Sequence, residues 1–305
     1  MPPTALIAAL LIAQAAPPPA TEVYLAPLAI QGGRVEIGKP INISNSPGYD
    51  NQPSFTPDGA SLLFTSVRAE RKPDPANGAA IGSDIYRYDL ASKTISQVTN
   101  SLESEYSPTV TPDGRHISVI RVESDGTQRL WQFTLDGREP TVLWPAIKPV
   151  GYHAWADASV LALFVLGEEG RPATLQVADS KTGQSSIAAT GIGRSIQRIP
   201  GGGISFVSRP PAKAGEPVTL TVTELDPMTR KTRALVTMPP GATDADTAWT
   251  PDGLLLASVK GQIFQWRPGD KEMTLAVHPG SMGLKGVTRL AISPKGDWIA
   301  LVAQP

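Results

Sequence analysis

Thr56-Pro57-Asp58-Gly59 runs directly into Ala60-Ser61-Leu62-Leu63-Phe64-Thr65-Ser66, a tight turn followed by an apolar strand. Proline fixes φ at the second position of a type I turn. Aspartate suits the third, and glycine takes the left-handed φ that closes a hairpin with a bulge. The unit recurs. Thr111-Pro112-Asp113-Gly114 leads into His116–Ile120, Thr250-Pro251-Asp252-Gly253 into Leu254–Val259, and Ser293-Pro294-Lys295-Gly296 into Trp298–Val302. Two worn copies are Ala156-Asp157-Ala158 before Val160–Phe164 and Pro200-Gly201-Gly202 before Ile204–Val207. The copies centre on positions 57, 112, 156, 200, 251 and 294, with spacings of 55, 44, 44, 51 and 43 residues. A period of about 40–45 residues made of four short strands is the signature of a propeller blade.

Between the turns the remaining strands of each blade are legible as period-2 segments, not 3.6-period helices. They are Asp84–Leu90 and Thr94–Val98, Leu130–Leu135 and Thr141–Trp144, Thr174–Ala178 and Ser186–Ala188, Thr219–Leu225 and Ala234–Val236, and Gln262–Trp266 and Met273–Val277. No helix is expected beyond the N-terminal leader. Glu22–Leu28 and a second strand from Val35 to Ile43 precede the first turn, while the last turn is followed by only one strand. The N-terminal pair therefore reads as the outer half of a blade whose inner half is C-terminal. This closure removes the free edges that an open array would carry. The expected fold is an all-β, six-bladed propeller of four-stranded antiparallel blades over residues 22–305.

Composition narrows the function classes. The chain of 305 residues has 27 basic and 28 acidic residues, so it offers no electrostatic footprint for nucleic acid. It has no cysteine, which excludes disulfides, thiolate catalysis and thiolate metal sites. The apolar run from Ala5 to Ala16 covers 12 residues, too short to span a bilayer as a helix. With Ala13-Gln14-Ala15 and the following prolines it reads as an export signal over residues 1–15, then a proline-rich linker over 16–21, although the leader carries no Lys or Arg. A periplasmic or secreted monomer is expected.

Gln52-Pro53-Ser54-Phe55-Thr56-Pro57-Asp58-Gly59, Ser107-Pro108-Thr109-Val110-Thr111-Pro112-Asp113-Gly114 and Ala248-Trp249-Thr250-Pro251-Asp252-Gly253 resemble the x-P-x-W-S-P-D-G repeat of TolB-type propellers, also found in the propeller domains of prolyl-oligopeptidase-like peptidases. The resemblance covers about residues 21–305. Against that family pattern, neither the separate N-terminal α/β domain of TolB nor a hydrolase domain is expected within these 305 residues. TolB-like propellers act as periplasmic interaction proteins of the cell envelope, so the resemblance implies a protein or peptide partner there.

Residues at the beginning of each inner strand are expected to ring one mouth of the central channel. From them the candidate ligand-binding set is Asp50, Gln52, Glu105, Tyr106, Tyr152, His153, Arg194, Asp246 and Arg289, flanked by Tyr49, Glu103, Gln197, Asp244 and Lys285. The long loops Arg68–Ser83 and Arg209–Pro217 fall on the same face. One reading is a polar pocket for a peptide or small ligand; another is a solvated funnel of balanced charges. A third gathers Asp50, Glu103, Glu105, Asp244 and Asp246 around Ca²⁺, which needs six to eight converging oxygens. No cofactor is expected otherwise. Asp58, Asp113 and Asp252 read as turn formers, not ligands. Phe55, Trp155 and Trp249 read as inter-blade core. Three histidines, His116, His153 and His278, are too few for a multi-histidine metal site, and no G-x-S-x-G elbow occurs. The expectation is a non-enzymatic binding propeller, with a metal-dependent lactonase or hydrolase as the alternative.

Overall fold

The computed structural model describes residues 19–68, 82–211 and 217–305. Six antiparallel sheets stand around an axis, and neighbouring inner strands touch in sequence until the sixth meets the first. From the inner strand outward, blade 1 is Asp50–Phe55, Ser61–Ser66, Asp84–Asp89 and Ile95–Gln97. Blade 2 is Ser104–Val110, His116–Val122, Gln128–Thr134 and Thr141–Leu143. Blade 3 is Val150–Trp155, Val160–Val165, Thr174–Asp179 and Gln184–Thr190. Blade 4 is Ile192–Arg198, Ile204–Ser208, Thr221–Leu225 and Thr232–Thr237. Blade 5 is Asp246–Trp249, Leu255–Val259, Gln262–Trp266 and Thr274–Val277.

Blade 6 closes the ring from both chain ends. The inner Lys285–Ile292 and Trp298–Gln304 pair with the outer Glu22–Gln31 and Arg34–Ile37, with Val23 opposite Val302 and Leu25 opposite Ala300. The single strand expected from Val35 to Ile43 is instead two. Arg34–Ile37 pairs with Leu28–Gln31, whereas Ile41–Asn42 pairs with Tyr24 and Leu25. Gly38-Lys39-Pro40 separates them, because Pro40 has no N–H to donate to a ladder. A second difference is a short 3₁₀ turn at Pro279–Met282, where no helix was expected; Pro279 sets its first φ and Gly283 ends it in the left-handed region at φ 76°. Residues 1–18, which hold the expected leader (1–15) and the first half of the linker, and most of the two long loops lie outside the described residues.

The turn chemistry is what the repeat requires. In blade 1 the Gly59 N–H donates to Thr56 O at 2.8 Å with Gly59 at φ 72°. Asp58 Oδ1 accepts from Thr56 Oγ1 at 2.6 Å and from Ala60 N at 2.9 Å. These bonds hold the Asp58 carboxyl below its ordinary range, the Thr56 hydroxyl contributing most. Asp113 and Asp252 repeat the arrangement with Thr111 and Thr250. Each is bound into its own turn.

Packing explains why the second strands are nearly continuous apolar runs, buried on both faces. Among the described residues six hydrophobic clusters occur, one per blade interface. Side-chain alternation sends Leu62 and Phe64 into the cluster shared with blade 6, and Leu63 into the one shared with blade 2. Trp155 and Trp249 stitch their blades to the preceding ones. Trp155 Nε1 donates to Ser118 Oγ at 3.0 Å and Trp249 Nε1 to Ser205 Oγ at 2.8 Å.

Candidate functional site

The inner strands enclose an axial cavity of about 620 Å³, within the range of small-ligand pockets. Its exposed rim is made of turn residues Pro57, Pro112, Asp157 and Ala158. Its walls are the second halves of the inner strands, including Phe55, Pro108, Trp155 and Ile196, and its floor is Tyr152, Arg194, Asp246 and Arg289. The cavity therefore opens toward the Pro-Asp-Gly turns, opposite the mouth that the sequence pointed to. Inner strands of six to eight residues in most blades make the channel deep, and side chains crossing it near the strand starts divide it.

Five of the nine candidate residues are buried: Asp50, Glu105, His153, Asp246 and Arg289. Two of these serve blade packing. Asp50 pairs with Arg68 Nη2 at 3.2 Å, and burial pushes its carboxyl up despite Ser66 and Arg68. Glu105 is fully buried, accepts from Ser101 Oγ at 2.6 Å and lies 3.3 Å from Arg121 Nε. Arg121 also binds Glu103 at 2.6 Å and stacks on Trp131. Tyr106 meets Tyr49 edge-on, with ring centroids 6.4 Å apart. Burial pushes the Tyr49 phenol up to about 12. Asp50, Glu105 and Tyr106 do not line the cavity. Among the described residues, no three His, Asp or Glu side chains form a group able to hold a metal ion.

Gln52, Tyr152, His153, Arg194, Asp246 and Arg289 do line it. Gln52 is a bulge residue at φ 55°, and its Oε1 accepts from Thr65 Oγ1 at 2.9 Å and from the bulge residue Ser107 N in blade 2 at 3.0 Å. Asp246 Oδ2 accepts from Leu290 N at 2.8 Å, tying blade 5 to blade 6; burial pushes its carboxyl up, with Arg289 opposing. Arg194 Nη2 pairs with Asp244 at 2.9 Å. Arg289 reaches across the axis from blade 6 to blade 3. Its Nη2 donates to Tyr152 Oη at 2.7 Å, its guanidinium stacks on that ring, and Asp246 Oδ1 is 3.7 Å away.

His153 is held by hydrogen-bond accounting. Ser118 Oγ donates its one proton to Thr109 O at 3.1 Å, so it accepts from His153 Nε2 at 2.7 Å. The ring thus carries its proton on Nε2, and Nδ1 has no partner among the described residues. Burial lowers its pKa to about 3, so the imidazole is neutral. The sequence reading missed the wall residues Phe55 and Trp155, assigned to core alone. Their position before the turn is visible in the sequence; the share of each ring facing the axis is not.

No known sequence family matches the chain, and no curated protein matches it. Solved structures do. A structure from Agrobacterium tumefaciens assigned to TolB superimposes with a TM-score of 0.67 at 15% identity, over 93% of this chain and 98% of that one. The fold is a TolB-like six-bladed propeller. TolB from Acinetobacter baumannii gives a TM-score of 0.55 at 14% identity, over 92% of this chain and 63% of that one. An oligogalacturonate lyase in complex with manganese gives 0.51 at 14%, over 95% and 98%. These identities speak to architecture. A TolB-like propeller hosts binding in some proteins and catalysis in others, so activity must be argued from the cavity.

Proposed function

We propose that the protein is an exported, non-enzymatic propeller of the cell envelope that receives a protein segment or small ligand in its axial cavity. The observation that carries this reading is the cavity itself. It is about 620 Å³, has an exposed rim, walls with apolar faces at Phe55, Pro108, Trp155 and Ile196, and a polar floor of fixed side chains. That combination of apolar surface for affinity and few polar groups for orientation is what ligand sites share. The similarity to TolB structures supports the binding role and the envelope, and the short apolar leader supports export. The candidate carboxylates are engaged separately: Glu105 and Asp50 with arginines of their own blades, Asp246 with the backbone of the next blade.

The test is a plug. Gln197 is half-buried on the cavity wall, and among the described residues its side chain makes no hydrogen bond. Gln197→Trp should fold with an unchanged melting temperature and fill the cavity. A partner cross-linked to the wild type in the envelope should be lost with Q197W. Undiminished recovery with a folded Q197W chain would move binding away from the cavity.

A further inference from the structure

The chemistry of the ligand is written in the unused hydrogen-bond capacity of the floor, an inference that rests on the cavity being the binding site. Arg289 is a permanent cation with five N–H donors. It is 8% exposed, yet among the described residues its side chain makes one hydrogen bond, from Nη2 to Tyr152 Oη. Asp246 does not take the rest. Its Oδ1 stands 3.7 Å from Arg289 Nη1, beyond hydrogen-bond length, and its Oδ2 is occupied by Leu290 N. Tyr152 Oη accepts from Arg289, which leaves its own O–H free to donate; among the described residues it donates to nothing. Arg194 lies beside them with Nη2 on Asp244 and a buried Nε that lacks a partner. Both arginines and Tyr152 line the cavity.

The floor thus presents an excess of donors on a fixed frame. The stacking of Arg289 on the Tyr152 ring, at 4.9 Å, holds the guanidinium in place before any ligand arrives. The wall above it carries apolar faces at Phe55, Pro108, Trp155 and Ile196 between polar side chains such as Gln52 and Gln197. We infer that the cavity recognises a carboxylate carried on an apolar or aromatic body, the carboxylate seated against Arg289 and the Tyr152 hydroxyl with Arg194 beside it. Charge-assisted bonds to a guanidinium in a site shielded from water separate an acid from its neutral amide of the same shape. A cation is disfavoured there, since the lining groups of the floor are two arginines and one aspartate whose oxygen is already shared with a backbone N–H.

The experiment titrates the full mature protein with phenylacetate and with phenylacetamide at neutral pH, reading heat or NMR shifts at millimolar concentration. Wild type should bind the acid about tenfold more tightly than the amide. Tyr152→Phe keeps the ring under Arg289 and removes the hydroxyl. It should lower acid affinity several-fold and leave amide affinity unchanged. Arg194→Gln should act in the same direction. Equal binding of acid and amide by wild type would overturn carboxylate recognition and leave the cavity reading standing. Binding of neither would overturn both. Arg198 is the exposed arginine of the lining, at the turn end of its inner strand; a preference lost in Arg198→Gln and kept in Y152F would place the acid at the rim, and the floor assignment would be wrong.

Discussion

Acid should weaken this fold through His153, and the size of the effect follows from its burial. The folded ring resists protonation down to about pH 3 because burial penalises the imidazolium, and no charged group contributes to the shift. In the unfolded chain the same ring takes a proton below about pH 6.5. Across that window the unfolded state binds more protons than the folded state. The stability that depends on a neutral His153 is therefore present above about pH 6.5 and lost as pH falls toward 3, at up to about 1.4 kcal/mol per pH unit. Going from about pH 7 to about pH 4.5 removes roughly 2–3 kcal/mol by this route, a large part of the 5–15 kcal/mol of an ordinary domain. Turn aspartates such as Asp58 and Asp252 also lose stability as pH falls, since their carboxyls are held low when folded. A variant without the imidazole isolates the histidine. His153→Phe should be less stable than wild type at neutral pH, because Ser118 and the surrounding packing lose a partner. Urea unfolding of both proteins at several pH values should then show the gap between them narrowing by roughly 2–3 kcal/mol on acidification. Parallel curves would mean that the folded ring accepts a proton in this range, and the burial argument would be refuted.

Other perturbations test the blade contacts. Gly137 sits at φ 79° with Val98 O of the neighbouring blade only 1.7 Å from where a Cβ would stand, whereas Gly170 at φ 75° has open space. Gly170→Ala should cost about 1 kcal/mol of backbone strain, and Gly137→Ala distinctly more, read as a larger fall in melting temperature. Arg121→Ala removes the cation beside the fully buried Glu105, which keeps its bond from Ser101, and should cost about 3 kcal/mol. Adding Glu105→Gln in that background should restore part of the loss in the same unfolding assay. Q197W should abolish capture of the cavity ligand without loss of fold, and Y152F should narrow the discrimination between phenylacetate and phenylacetamide, both read by titration.

The sequence by itself determined the architecture. Six Pro-Asp-Gly-type turns at blade spacing placed six blades, because a turn is a local object: Thr56, Asp58 and Gly59 bond to one another and to Ser61, within six residues. Closure by the two chain ends was legible too, from a surplus of two strands before the first turn and a deficit after the last. Even the identity of most floor residues could be read, since position along an inner strand follows from counting back from the turn. Tertiary structure alone decided what those residues do. Glu105 meets Arg121, which stands directly opposite it on the second strand of the same blade, and that pairing depends on the ladder register, which the turn motif does not announce. Arg289 and Tyr152 are 137 residues apart and meet because their blades face each other across the axis. That crossing, and the inner-strand bulges that aim Gln52 and Ser107 at each other, set which end of the channel stays open. Local chemistry fixes turns; only the closed ring fixes what lies opposite what.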